Sequence, residues 1–300
     1  MIPIAVIINA GAGSGHAVGW SDQLGGKLRA LDFDAAITLA DSGAEMMDAA
    51  RAAIEGGVAM VVAGGGDGTI NAVASVMVDS GVPFGVLPLG TLNHFAKDLK
   101  IPLELDEAIA NLARGCRAKV DVGEVNGQIF LNNSSLGLYP DIVRDRIKQQ
   151  RRLGRGKWMA FCWAAMAALR RYPFLSLRLN LNQQQHARRT PFVFIGNNEY
   201  LMQGLNIGER ERIDGGTLSL YVAQSPGRLG LVRLALHALF GRLARLKDFD
   251  ILLAKELEIE TRHKRLRVST DGEVTVMATP LRYRIRPAAL TVVVPPPAAA

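Results

Sequence analysis

The sequence predicts a chain in two parts: a doubly wound α/β domain over residues 1–122, then an antiparallel β-rich, sandwich-like domain over 123–285 with helical insertions near 142–172 and 227–247. Three observations predict it. As far as about residue 122, short apolar runs alternate with stretches whose apolar residues recur at helical spacing. Beyond that point the recurrence drops to every second residue, the mark of a sheet with one buried and one wet face. Three of the early apolar runs also open into segments of glycine, hydroxyl and amide residues, as strands do at the ligand-binding edge of an open parallel sheet.

The elements follow in order. Ile4 to Ile8 is the first short strand, opening into Asn9-Ala10-Gly11-Ala12-Gly13-Ser14-Gly15. Ala59 to Ala63 is a buried strand that runs into Gly64-Gly65-Gly66-Asp67-Gly68-Thr69. A helix comes next, because Ile70, Val73, Ala74 and Met77 share one face. Val82 to Leu87 is the third such strand, opening into Pro88-Leu89-Gly90-Thr91-Leu92-Asn93. In the second part, Leu175, Leu177, Leu179 and Leu181 alternate with polar residues, as do Leu257 and Ile259, Leu266 and Val268, and Leu281, Tyr283 and Ile285. Leu290 to Val294 is the last strand.

A glycine-rich turn between a buried strand and a helix suits phosphate. Glycine lets the backbone come close to a ligand, and the free N–H groups and positive dipole end of the helix favour an anion. Asp67 stands out within that turn, since a carboxylate repels phosphate; its role is to handle a cation that travels with the phosphates. The familiar nucleotide fingerprints fit badly. A G-x-G-x-x-G frame begun at Gly11 ends on His16, one begun at Gly13 ends on Val18, and there is no G-x-x-x-x-G-K-[ST] loop.

Charge is localised. The chain carries 35 Lys and Arg against 28 Asp and Glu, a net of +7, yet residues 144–171 alone hold nine Lys/Arg against Asp145. The rest is therefore close to neutral, and the basic character is one patch. The longest uncharged apolar stretch, Trp158 to Leu169, is about half the ~20 residues a membrane-spanning helix needs. The start, Met1-Ile2-Pro3-Ile4, lacks the basic flank of a signal peptide, and Cys116 and Cys162 show no metal spacing. The expectation is a cytoplasmic protein with both cysteines packed rather than catalytic.

The ordered set of motifs resembles the diacylglycerol kinase catalytic domain family, which includes bacterial lipid kinases and sphingosine kinases. Gly64 to Thr69 with Asn71 resembles its GGGDGT-x-N core, Asn9 to Gly13 its N-P-x-[ST]-G loop, and Pro88 to Asn93, followed by Phe95-Ala96, its P-x-G-T-x-N-D-F segment. Asp214-Gly215-Gly216-x-Leu218 is similar to its D-G-x-L metal-binding turn, and Asp271-Gly272-Glu273 to its late D-G-E.

The resemblance implies ATP as phosphoryl donor, Mg²⁺, a lipid hydroxyl as acceptor, and a C-terminal segment, 286–300, that returns to the first domain. Carried over by position, Asn9, Gly13, Thr38, Gly65, Gly66, Asp67, Gly68, Thr69, Ile70, Asn71 and Thr91 line the nucleotide, Asp214 holds Mg²⁺, and Glu273 is the catalytic base. Three departures bear on substrate or rate: Ala10 and Ala12 replace the loop's proline and hydroxyl residue, His94 the usual Asp, and Ala72 the usual Glu. The alternatives are an NAD kinase-like enzyme, which shares a GGDGT-type loop, and a binder of nucleotide or phospholipid whose missing carboxylates have abolished turnover. Asp214-Gly215 and Asp271-Gly272 are also good hairpin turn pairs regardless of chemistry.

Trp158, Met159, Phe161, Trp163 and Met166, bordered by Lys157 and Arg170-Arg171, suit an anionic bilayer surface, and so imply peripheral contact with the inner membrane face through 144–171. Arg233, His237 and Arg245 recur among leucines in the second insertion, as on the solvated side of a partly buried helix. No stacking platform or binding motif for nucleic acid accompanies the charge, and nothing sets an oligomeric state. Replacing Arg151, Arg152, Arg155 and Lys157 together with Gln is expected to weaken binding to anionic vesicles in a sedimentation assay, at roughly 1 kcal/mol per near-surface charge. Activity on detergent-dispersed lipid should hold, and unchanged vesicle binding would reject the role.

Overall fold

The structure, a computed structural model, describes residues 1–11, 19–137, 175–181, 184–203, 206–210, 212–223 and 249–297. Both helical insertions, the basic segment 144–171, Gly13 and Cys162 lie outside the described residues. The chain divides into two compact units, Met1–Val122 with Arg286–Ala300, and Gly123–Ile285.

The first unit is an α/β domain built on a parallel sheet. Its elements are β1 (Ile2–Asn9), α1 (Trp20–Arg29), β2 (Phe33–Ala40), α2 (Gly43–Glu55), β3 (Met60–Gly65), α3 (Asp67–Met77), β4 (Phe84–Pro88), α4 (His94–Asp98), α5 (Leu105–Arg114) and the first part of β5 (Cys116–Val125). The strands lie in the order β2-β1-β3-β4, all parallel. Every residue of β3 and β4 is buried, as strands covered on both faces must be, which is why they read as unbroken apolar runs. Ile4, Val6, Ile8 and Val62 pack with Leu24 and Leu28 of α1 and Ile109 and Leu112 of α5. Ile7, Val61 and Ala63 alternate to the opposite face, toward α2 and α3, which pack against each other.

Two local expectations change. The helix after the glycines begins at Asp67, three residues before its first apolar position, so Asp67, Gly68 and Thr69 form its first turn. Cys116 is exposed, because it starts β5 before that strand becomes buried at Val120.

The second unit is β-rich and sandwich-like. It takes the end of β5, then β6 (Gln128–Phe130), β7 (Asn133–Gly137), β8 (Leu175–Leu181), β9 (Gln184–Thr190), β10 (Phe192–Asn197), β11 (Tyr200–Gln203), β12 (Asn206–Arg210), β13 (Leu218–Ala223), β14 (Phe249–Ala254), β15 (Glu256–Thr261), β16 (Arg265–Thr270), β17 (Glu273–Ala278) and the start of β18 (Leu281–Val294). One sheet runs β14-β13-β10-β7-β16-β17, antiparallel throughout. In the other, β15 lies antiparallel between β8 and Leu281–Arg284 of β18, and β9 borders β8. The period-two leucines face inward: Leu177, Leu179, Leu257, Ile259, Leu281, Tyr283 and Ile285 join Leu136, Val193, Ile195, Leu220 and Val268 in one core. After Ile285 the same strand carries Val292 into parallel pairing with Phe84 of β4 in the first unit.

Leu136 in β7 is fully buried in that core, whereas Val276 in β17 is 62% exposed. Leu136→Ala should lower the thermal stability of the second unit by about 2–5 kcal/mol, and Val276→Ala by no more than about 0.5, as read by calorimetry.

Candidate functional site

In the first unit the ends of β1, β3 and β4 meet. Ile8 is opposite Gly64, and Gly65 is opposite Pro88, which places the segments after these strands side by side. Gly66 is the N-cap of α3 in extended conformation, and no side chain caps it. The first N–H groups of α3 therefore remain available to an anion. The segment after β4 presses on this turn: a Cβ on Gly90 would lie 2.4 Å from Gly66 Cα and 2.7 Å from Asn93 Oδ1. Only glycine permits that backbone approach.

Side-chain bonds fix the geometry. Asn93 adopts φ 50°, accepts from Gly90 N at 3.1 Å, and donates to Gly90 O at 2.9 Å and Pro88 O at 3.2 Å. Asn9 donates to Thr69 Oγ1 at 3.1 Å and accepts from Gly11 N at 2.9 Å, which ties the end of β1 to the first turn of α3. Asp67 Oδ1 accepts from Phe95 N at 3.3 Å, so this carboxylate also caps the short α4. Its other oxygen has no hydrogen bond among the described residues. On α3, Asn71 is buried and its Oδ1 has no partner among the described residues, an acceptor left for a bound group to satisfy.

Asn9, Gly65, Gly66, Asp67, Gly68 and Thr69 thus come together, and Thr91 is exposed in the segment that abuts them. Ile70 is fully buried, so only its backbone can face a ligand. Thr38 is exposed on β2, opposite Ile7 of β1. His94 is exposed at the start of α4, and Ala72 faces Gly43 at the start of α2. The structural part played by Asn93 was absent from the sequence-derived site, although the Gly90-x-x-Asn93 spacing signals a side chain that closes its own turn.

In the second unit, Asp271 and Gly272 form the two-residue turn between β16 and β17, with φ of 48° and 87° as a type I′ hairpin demands. Glu273 comes at once as the first residue of β17 and is exposed. Asp271 points elsewhere: its oxygens accept from Leu131 N at 2.7 Å, Asn132 N at 2.8 Å and Asn133 N at 3.0 Å. Burial pushes its carboxyl up to about 6, against the downward pull of those amides and of Arg210. Near neutral pH it is ionised.

Asp214 lies in the turn before β13, exposed and ion-paired with Arg212 Nε at 3.1 Å. No group of three His, Cys, Asp or Glu residues forms among the described residues. A cation at Asp214 would have to displace Arg212 from the one exposed carboxylate there, an oxygen donor of the kind Mg²⁺ takes.

Comparison with known proteins agrees with the geometry. The diacylglycerol kinase catalytic domain family matches residues 3–125, and the YegS C-terminal NAD kinase beta sandwich-like domain matches residues 140–294. A protein of Chromohalobacter salexigens named "Probable lipid kinase YegS-like" is 28% identical over 255 residues, 83% of this chain and 80% of that protein. One of the same name from Pseudomonas aeruginosa is 29% identical over 252 residues, 81% of this chain and 79% of that protein. A solved structure of a diacylglycerol kinase from Bacillus anthracis str. Sterne covers 99% of this chain and 98% of its own at a TM-score of 0.72 and 23% identity, which establishes a shared fold.

The bond from Phe95 N separates two roles of Asp67. Asp67→Asn retains an acceptor for that amide but loses the charge, whereas Asp67→Ala loses both. Mg²⁺-dependent ATP turnover should collapse in both variants, while the melting temperature falls only for Asp67→Ala, by the equivalent of ~1 kcal/mol for a lost cap. Near-wild-type turnover of Asp67→Asn would leave Asp67 a capping residue alone.

Proposed function

The chain belongs to the family of lipid kinases that join a diacylglycerol kinase catalytic domain to a YegS-type C-terminal domain, and we propose that it transfers the γ-phosphoryl group of ATP to the hydroxyl of a diacylglycerol-like lipid. The observation that carries this reading is the contact of Gly66 and Gly90 beside the uncapped start of α3, with the unpartnered Asn71 Oδ1 nearby in sequence on the same helix. Such a cradle of backbone N–H groups suits a polyphosphate, and phosphoryl transfer asks chiefly for positioning and neutralisation of charge.

In this reading Asn9, Gly65, Gly66, Gly68, Thr69, Asn71 and Thr91, with Gly13 and Thr38, hold the nucleotide. Mg²⁺, when bound, would neutralise phosphate charge beside Asp67, and a separate structural Mg²⁺ would steady the turn at Asp214. Asp67 orients the cation-bearing phosphates through its open oxygen. Glu273 takes the proton of the lipid hydroxyl as the oxygen attacks the γ-phosphorus, and ADP leaves. Its exposure at the head of β17 supports that role, since a base must reach a substrate. The basic segment 144–171 brings the enzyme to anionic membrane, where its substrate resides. No helix among the described residues is long and apolar enough to cross one.

A second reading, a nucleotide-binding regulator without turnover, draws on His94 and Ala72, which take carboxylates away from the phosphate segments. Glu273→Gln separates the two, because it keeps size and hydrogen bonding but cannot accept a proton. With the lipid substrate, turnover should fall by roughly 10²–10⁴ while ATP affinity and melting temperature hardly change. Unaltered turnover would send the search for the base elsewhere.

A further inference from the structure

The segment Leu131–Asn133 is held from both sides by charge. On its N–H side stands the Asp271 carboxylate, with three backbone donors within 2.7–3.0 Å. On its carbonyl side stands the buried Arg210 at the end of β12. Its guanidinium donates to Leu131 O at 2.8 Å, to Asn132 Oδ1 at 3.2 Å and to Asn197 O at 3.1 Å. Asn197 Nδ2 adds a bond to Leu131 O at 2.8 Å, and the Tyr200 hydroxyl one to Asn132 O at 3.0 Å. Asp271 N in turn donates to Asn133 O at 2.9 Å. The first residue of the β16–β17 turn is thereby fastened to the segment that enters β7.

This is more than a turn requires. A type I′ hairpin forms with Asn-Gly as readily as with Asp-Gly, and needs no carboxylate. A carboxylate that spends both oxygens on three amides, faced across one peptide segment by a buried guanidinium, fixes the turn in position as well as in shape. Glu273 is the next residue after that turn. The same network reaches the Asp214 turn, because Asn198 N donates to Thr217 O at 2.9 Å and Ser219 Oγ to Asn198 O at 2.6 Å.

We propose that Asp271, braced by Arg210 through Leu131–Asn133, is a positioning residue that holds Glu273 at the reacting hydroxyl. This rests on the reading of Glu273 as base. In Asp271→Asn an amide N–H would face one of the three donors, so the turn shifts away from the segment although its φ angles remain allowed. A displacement of about 1 Å at a base costs on the order of 10²-fold in rate.

The test is a cycle of Asp271→Asn and Glu273→Gln read as kcat and as KM for ATP. Asp271→Asn should lower kcat about 10- to 100-fold with KM for ATP unchanged, and should lower it no further in the Glu273→Gln background. Equal losses in both backgrounds, or no loss in either, would overturn the positioning role while leaving Glu273 as base. Should Glu273→Gln itself keep full turnover, the base assignment fails, and this proposal with it. If Asp271→Asn does not fold, Arg210→Lys, which keeps the charge but loses the planar fork, takes its place in the cycle with the same expectation. Failure of both variants to fold would make the bracket a requirement of folding alone and overturn the proposal.

Discussion

Backbone against backbone at Gly66 and Gly90 is the constraint on which the proposed nucleotide site depends. Two polar segments, each at the end of a buried parallel strand, come so close that a single added Cβ at Gly90 would lie 2.4 Å from a main-chain atom, where no rotamer change can relieve it. The rest of the cluster serves this contact. Asn93 closes its own turn so that Gly90 can approach, Asp67 reaches across to the start of α4, and Asn9 draws the end of β1 onto Thr69. The product is a run of N–H groups at an uncapped helix start, held by side chains that bond to the backbone, which would leave little freedom to lose on binding the phosphates proposed for it.

The second unit solves a different problem by a related means. Its core is made by inward leucines and valines from two antiparallel sheets, which specify the sandwich but not the position of a side chain on an exposed hairpin. That position comes from buried polar bonds gathered on Leu131–Asn133. The Tyr221 hydroxyl, whose pKa burial raises, donates to Tyr200 O at 3.1 Å and extends the same web. Such a network is costly if half satisfied, and here the backbone groups of Leu131–Asn133 all have partners.

Much of this was legible in the sequence, because the relevant signals are local. Buried parallel strands read as apolar runs at Ile4–Ile8 and Met60–Ala63, and half-buried strands as alternation at Leu175–Leu181 and Leu281–Ile285, since those patterns are what burial on two faces or one requires. Helix starts were less legible. Asp67, Gly68 and Thr69 belong to α3 although apolar spacing begins only at Ile70, because a first turn needs no buried face. The motif at Asp271-Gly272-Glu273 identified the hairpin and the exposed Glu273, yet not the bonds that tie Asp271 to residues about 140 positions earlier. Contacts at that separation leave no periodic trace. The same holds for Asp67 and Phe95, and for the exposure of Cys116, which depends on where β5 begins to be covered.

The central claim is that this cradle and this hairpin serve phosphoryl transfer from ATP to a lipid hydroxyl. The direct measurement is transfer of label from γ-labelled ATP when the protein is mixed with Mg²⁺ and a total lipid extract, with identification of the labelled product. Label is expected in a phospholipid whose unlabelled form carries a free hydroxyl. Label that stays in ATP across the whole extract, or that moves only to water or to NAD, would contradict the claim.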